Sequence, residues 1–254
     1  MGILQTLILS IVEGVTEFLP ISSTGHQILA ASLMHVTETD FVKSFVIAIQ
    51  LGAIAAVAWL YKKEIVSNRA LWPKVLVAFI PTAILGLIFY KIIKVYLLGN
   101  LPITLLALAI GGLILIVFER IVKIGYTKIE DMNLVQAFVV GLAQSVSMIP
   151  GVSRAAASIV GGMVQGLSRE EAVKFSFLLA IPTMAAATGL DAIKTGWKFD
   201  TPELVLMGFG FVIAFTTAML TVKWLVEFVR SHSFVGFGIY RILLAGAFWW
   251  WMSK

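Results

Sequence analysis

The sequence predicts an all-α polytopic membrane protein: an inverted repeat with two re-entrant helix pairs and about six full transmembrane spans. Three observations carry this. Of the 254 residues, 59% are hydrophobic and 13% charged, about half the charged share of an ordinary soluble domain. Charge-free runs cover Phe18–Thr37, Ser44–Tyr61, Val75–Tyr90, Val95–Phe118, Met132–Ser153, Phe175–Leu190 and Leu204–Val222, several of them near the roughly 20 residues that cross a bilayer as a helix. Two of the apolar stretches are broken by proline or glycine followed by serine.

In chain order, Gly2–Phe18 reads as a short helix, and Leu19-Pro20-Ile21-Ser22-Ser23-Thr24-Gly25 interrupts it. Proline removes a helical donor, and a Ser or Thr then caps the next helix, Thr24–His35. Neither piece is long enough to cross comfortably, so the pair reads as re-entrant. Spans follow at Phe41–Tyr61, Pro73–Lys94 and Leu101–Arg120. Asn133–Ile149, the break at Pro150-Gly151 and Arg154–Gly166 then repeat the opening figure. Spans at Glu171–Leu190, Pro202–Val229 and Phe234–Met252 complete the chain. Pro81 and Pro182 fall within spans, and Phe248-Trp249-Trp250-Trp251 reads as an interfacial aromatic belt. Met1–Val12 reads as part of the mature fold, because a cleaved signal's basic segment is absent.

The repetition is legible residue by residue. Gln5-Thr6-Leu7-Ile8-Leu9, Glu13 and Pro20-Ile21-Ser22-Ser23-Thr24 are matched about 131 residues later by Gln136-Ala137-Phe138-Val139-Val140, Gln144 and Pro150-Gly151-Val152-Ser153-Arg154. Ser44–Ile49 is matched by Ser176–Ile181. With no linker or low-complexity tract, residues 1–254 read as a single integral membrane domain, with pseudo-repeats at about 1–120 and 132–254. Three spans per half set the two halves in opposite orientations. With the N-terminus outside, loops 62–74, 119–131, 168–174 and 223–234 lie inside and carry eleven Lys/Arg against seven opposite.

The net charge of +5 would suggest nucleic acid in a soluble chain. Here it reads as juxtamembrane Lys and Arg, so no nucleic-acid partner is expected. The absence of cysteine excludes disulfides and thiolate chemistry.

Glu13, Glu17 and Arg154 sit inside apolar stretches, each costing roughly 2.5–3.5 kcal/mol at a helix centre. They are therefore expected to line a wet cavity and meet partners. An internal salt bridge between the halves accounts for one Glu with Arg154 and leaves the other Glu unpaired. Glu13 and Glu17, four apart, share a helix face. The two carboxylates repel unless a cation intervenes, and a hard divalent ion, Mg²⁺ or Ca²⁺, suits such oxygen ligands. Ser22-Ser23-Thr24-Gly25-His26 crowds three hydroxyls and an imidazole onto a helix N-terminus, where exposed amides favour anions. Ser153-Arg154 offers a second such terminus, with a guanidinium fork suited to phosphate. His35, His232, Glu119, Glu130, Glu170 and Glu171 read as solvated or interfacial.

Glu13-Gly14-Val15-Thr16-Glu17-Phe18-Leu19-Pro20-Ile21-Ser22-Ser23-Thr24-Gly25-His26 closely resembles the first signature of the undecaprenyl-pyrophosphate phosphatase family, the bacitracin-resistance type. Pro150-Gly151-Val152-Ser153-Arg154 resembles the second. Phe175–Pro182 and Ile239-Tyr240-Arg241 are also similar to that family. The resemblance implies hydrolysis of a C55 polyprenyl pyrophosphate to the monophosphate and inorganic phosphate, recycling the carrier lipid of cell-wall synthesis. It also implies divalent-cation dependence and a bacterial inner-membrane pocket opening to the extracytoplasmic side; a homodimer stays open. Glu13, Glu17, Ser23, His26 and Arg154 match functional positions of the family. In these terms Ser23 is the expected nucleophile, with His26 or Glu17 as base, and direct attack by a metal-activated water is the alternative. Ser22, Thr24, Ser153 and Arg154 would bind phosphate, and Glu13 and Glu17 the metal. Val46 and Ala155 depart from the family, and Ala155→Ser is expected to raise activity modestly. Inverted repeats with broken helices are also a transporter design, so a polyprenyl-phosphate flippase is the rival reading.

Overall fold

The computed structural model describes residues 1–37, 39–97, 99–122, 125–196 and 198–253. Positions 38, 123, 124 and 197, which fall in loops read from the sequence, lie outside the described residues. The helices are α1 Ile3–Thr16, α2 Ser23–Leu33, α3 Asp40–Leu60, α4 Lys62–Ser67, α5 Leu71–Ile92, α6 Leu101–Ile121, α7 Leu134–Ser145, α8 Arg154–Val164, α9 Arg169–Thr195, α10 Thr201–Ser231 and α11 Val235–Met252. Six of them, α3, α5, α6, α9, α10 and α11, are long and apolar enough to cross a membrane. The protein is an all-α, multi-pass membrane protein.

Polar residues punctuate the apolar chain at the helix starts. Thr39 caps α3, Asn100 caps α6 and Ser168 caps α9. Asn133 with Gln136 and Asp200 with Glu203 form reciprocal caps on α7 and α10. At the far end of α9, Gly196 takes the left-handed conformation that terminates it. α1 and α2 have 14 and 11 residues, which at 1.5 Å per residue reach about 21 and 17 Å, short of the bilayer's apolar core. α7 and α8 are equally short.

These short pairs pack against the long helices. α1 packs on α10 and α2, α7 on α5 and α8, and α3 on α9 and α10. Close approach is built in with glycine: a Cβ on Gly14 would lie 2.6 Å from the Ala214 carbonyl, and one on Gly141 would collide with that of Ala78. Buried Phe18 meets Phe177 edge to face, at 5.2 Å between centroids, joining the first break to α9. Outward faces of α5 and α6 expose Leu76, Ile80, Ile84, Leu106, Ile110 and Leu113, as helices bathed in lipid require.

The four loops assigned to one side by charge meet at one end of the molecule. Lys74 donates to the Ile129 and Glu130 carbonyls, and Arg230 pairs with Glu170. Glu119 departs from its sequence reading as a solvated charge. Its side chain is 5% exposed, takes two bonds from Arg169, and accepts the Phe234 amide at 2.9 Å. Glu171 is likewise engaged, accepting from the Ile129 amide and pairing with Lys174.

Candidate active site

The site forms where the two breaks meet. Ser22 and Ser153 both take positive φ, 72° and 78°, a conformation uncommon and strained for a residue other than glycine. Each hydroxyl accepts the amide three residues on, Gly25 or Ala156. Capping engages each hydroxyl as an acceptor and turns the next residue, Ser23 or Arg154, inward at the first position of its helix.

Ser23, Glu17 and Arg154 form one chain of bonds across the two halves. Ser23 Oγ donates to Glu17 Oε2 at 2.5 Å. Glu17 Oε1 accepts from Arg154 Nη2 at 2.7 Å. Arg154 Nη1 donates to the Ser176 carbonyl at 2.9 Å and to its hydroxyl at 3.2 Å, and Ser158 Oγ donates to that same hydroxyl. Arg154 Nε, though buried, has no partner among the described residues. The guanidinium also lies over the Phe18 ring. A cavity of about 1050 Å³ is lined here by Glu17, Ser22, Ser23, Thr24, Ser153 and Arg154. From this polar floor it continues between α5 and α9 past Phe79, Ala83, Leu87, Met184 and Leu190 towards Lys43, Gly99 and Leu101. That rim is at the end opposite the charged loops.

Three sequence expectations are corrected. Glu13 does not line the cavity. It is fully buried, with Oε2 accepting from Gln27 Nε2 at 3.1 Å, because its helix turn faces α2 rather than the opening. His26 is not brought to Ser23. Its Nδ1 meets the Ser22 carbonyl and its Nε2 the Tyr240 hydroxyl, both at 2.8 Å, with the two rings stacked. The carboxylate that Ser23 touches is Glu17. Ala155 is wholly buried and absent from the cavity wall, so a serine there would enter packed core rather than reach a ligand. Val46, by contrast, does line the cavity.

The donor set suits a hard cation. Among the described residues no three His, Asp or Glu gather. Yet Glu13 Oε1 and Gln27 Oε1 are buried oxygens with no hydrogen-bond partner among the described residues, and Glu17 follows Glu13 by one helical turn. Orphaned hard oxygens beside paired carboxylates fit Mg²⁺ or Ca²⁺. Gln27, Ser176, Tyr240 and Arg241 escaped the sequence reading of the site. Ser176, Tyr240 and Arg241 fall in segments similar to the family but were given no role there, and Arg241 is also a charge inside an apolar span.

Fold and site together define a multi-pass membrane protein with a hydroxyl–carboxylate–guanidinium chain at the floor of an amphipathic cavity. The profile of the family described as bacitracin resistance protein BacA matches residues 6–247, and the chain belongs to that family. It is 48% identical over 244 residues to an undecaprenyl-diphosphatase of Aquifex aeolicus, covering 94% of each chain. It is 46% identical over 251 residues to one of Persephonella marina, covering 98% of each. Against one of Methanococcus aeolicus it is 41% identical over 246 residues, 96% of each.

Proposed function

We propose that this protein hydrolyses undecaprenyl pyrophosphate to undecaprenyl phosphate and inorganic phosphate, returning the carrier lipid to cell-wall synthesis. The observation that carries the reading is the 2.5 Å bond from Ser23 Oγ to Glu17 inside a cavity that is polar at one end and apolar along its length. An amphiphile with a phosphate head and an isoprenoid tail matches that division. A flippase needs no hydroxyl held on a carboxylate.

In this reading Ser23 Oγ attacks the terminal phosphorus and the bridging P–O bond breaks. Undecaprenyl phosphate leaves, while the serine proton passes to Glu17. Glu17 hands that proton to the departing undecaprenyl phosphate; water then attacks the phosphoserine, its proton passes through Glu17 to Ser23 Oγ as the Oγ–P bond breaks, and inorganic phosphate is released. Arg154, whose side chain lines the cavity, spans charge on the phosphoryl oxygens. The amides opening α2 and α8, with Thr24, supply further donors. Glu13 and Glu17, with the Gln27 amide oxygen, would hold a divalent cation, which when bound neutralises pyrophosphate charge. His26, held on Tyr240, lies outside this proton path.

The two short pairs enter as re-entrant hairpins of an inverted repeat; their matched capping and positive-φ serines support this. The cavity rim opposite the basic loops points to an opening on the extracytoplasmic face of the inner membrane. Purified protein in lipid nanodiscs, given undecaprenyl pyrophosphate, should release phosphate with undecaprenyl phosphate as co-product. Excess EDTA should abolish that release. Unchanged turnover in EDTA removes the cation from the account, and transport without phosphate release overturns the enzyme reading.

A further inference from the structure

Among the described residues, Arg241 is the largest side chain wholly shut from solvent. Every acceptor it meets is a main-chain carbonyl. Nε bonds the Leu108 carbonyl at 3.2 Å and Nη2 that of Ala107 at 3.2 Å, anchoring α11 on α6. Nη1 bonds the Pro20 carbonyl at 3.1 Å, and Nη2 that of Gly151 at 2.8 Å. Pro20 and Gly151 stand at equivalent places in the two breaks, each two residues before a positive-φ serine. One planar group therefore holds both breaks, and the spacing of its nitrogens sets the distance between them. Glycine makes the room: a Cβ on Gly111 would collide with the Arg241 guanidinium, and one on Gly112 would lie 2.6 Å from the Gly238 carbonyl.

We propose that Arg241 is a positioning residue, clamping the two breaks together so that Ser23 from one half and Arg154 from the other meet through Glu17. The charge of Arg241 touches none of these groups. Its effect passes through the Pro20 and Gly151 carbonyls to the two strained serines that start α2 and α8. Lysine, a point donor on a flexible stem, cannot bridge both carbonyls while keeping its hold on α6.

The test uses the cysteine-free chain with Leu33→Cys and Val164→Cys, exposed positions on α2 and α8, spin-labelled in nanodiscs for pulsed dipolar distance measurement. Arg241→Lys removes the fork, and Gly111→Ala displaces it while leaving the arginine in place. The clamp predicts one narrow distance in the parent and a broadened or split distribution in both variants, each still melting cooperatively. The same variants should lose about 100-fold in kcat, the scale expected for ångström misplacement of reacting groups, with KM near the parent's. A distribution as narrow as the parent's in folded variants overturns the proposal, as does a broadened one with kcat retained. Variants that do not fold assign Arg241 to the scaffold and overturn it equally. The kinetic arm rests on the hydrolase reading. A parent that releases no phosphate sinks that reading, while the distance measurement still decides the clamp.

Discussion

Glu17 divides its two oxygens between Ser23 and Arg154, and this division sets what each residue can do. Removing the Ser23 hydroxyl deletes one hydrogen bond to a buried carboxylate, worth about 1.5–3 kcal/mol. Ser23→Ala should therefore melt below the parent but still cooperatively, and release phosphate at background rate; retained turnover would assign the attack to water. Arg154→Lys should lower kcat and raise KM together, because the fork that reaches both Glu17 and Ser176 also meets phosphate in ground and transition states. Steady-state kinetics decide this, and unaltered kinetics would make Arg154 a structural ion pair. Glu17 and Arg154 were legible because charge in apolar sequence is costly enough to demand a reason; Glu13, singled out on the same ground, lies buried against Gln27 off the cavity. The partner of Ser23 was not legible. His26 is nearer in sequence and three residues along the same helix, but its ring is captured by the Ser22 carbonyl and Tyr240. Side-chain direction depends on neighbours 214 positions away, which no local pattern contains.

At the scale of elements, glycines let the apolar helices approach closely beside a core of buried Phe, Leu, Ile and Val. α1 approaches α10 at Gly14, where an added Cβ would meet Ala214 and Ala218 main chain at 2.6 and 2.9 Å. Gly14→Val should cost about 1–3 kcal/mol by overpacking, read as a lowered Tm, and because α1 carries Glu13 and Glu17 it should also reduce turnover. A melt like the parent's would show that α1 is free to shift. Helix positions were readable from apolar length and from the Pro, Gly and Ser that interrupt it: α3 was expected at Phe41–Tyr61 and occupies Asp40–Leu60. The short α4 was not, since its six residues carry neither apolar length nor period. Glu119 was misjudged for a related reason. A carboxylate among basic residues reads as solvated, whereas its place under α11 is fixed by the Phe234 amide and Arg169, contacts made only once the two halves have packed.

Taken whole, the molecule is polarised: charged loops gather at one end, and the cavity rim lies at the other. Single-cysteine labelling is clean in a chain with no native cysteine. Position 68, whose Asn68 side chain bonds Glu130 among the charged loops, should react with impermeant reagent only after the cells are opened. Labelling from outside intact cells would invert the topology and with it the side on which the substrate head enters. The division of labour across the repeat is also a property of the whole. Both halves keep the capped, strained break, but the hydroxyl–carboxylate pair comes from the first and the guanidinium from the second, so neither half holds the site alone.

The most direct measurement follows the transferred phosphoryl group. Purified protein mixed with terminally radiolabelled undecaprenyl pyrophosphate can be quenched in acid before the first turnover completes, and the protein-bound label mapped by mass spectrometry. The account predicts phosphate on the peptide bearing Ser23, formed no more slowly than phosphate is released and absent in Ser23→Ala. Steady phosphate release with no label on the protein, and undiminished in Ser23→Ala, would contradict it.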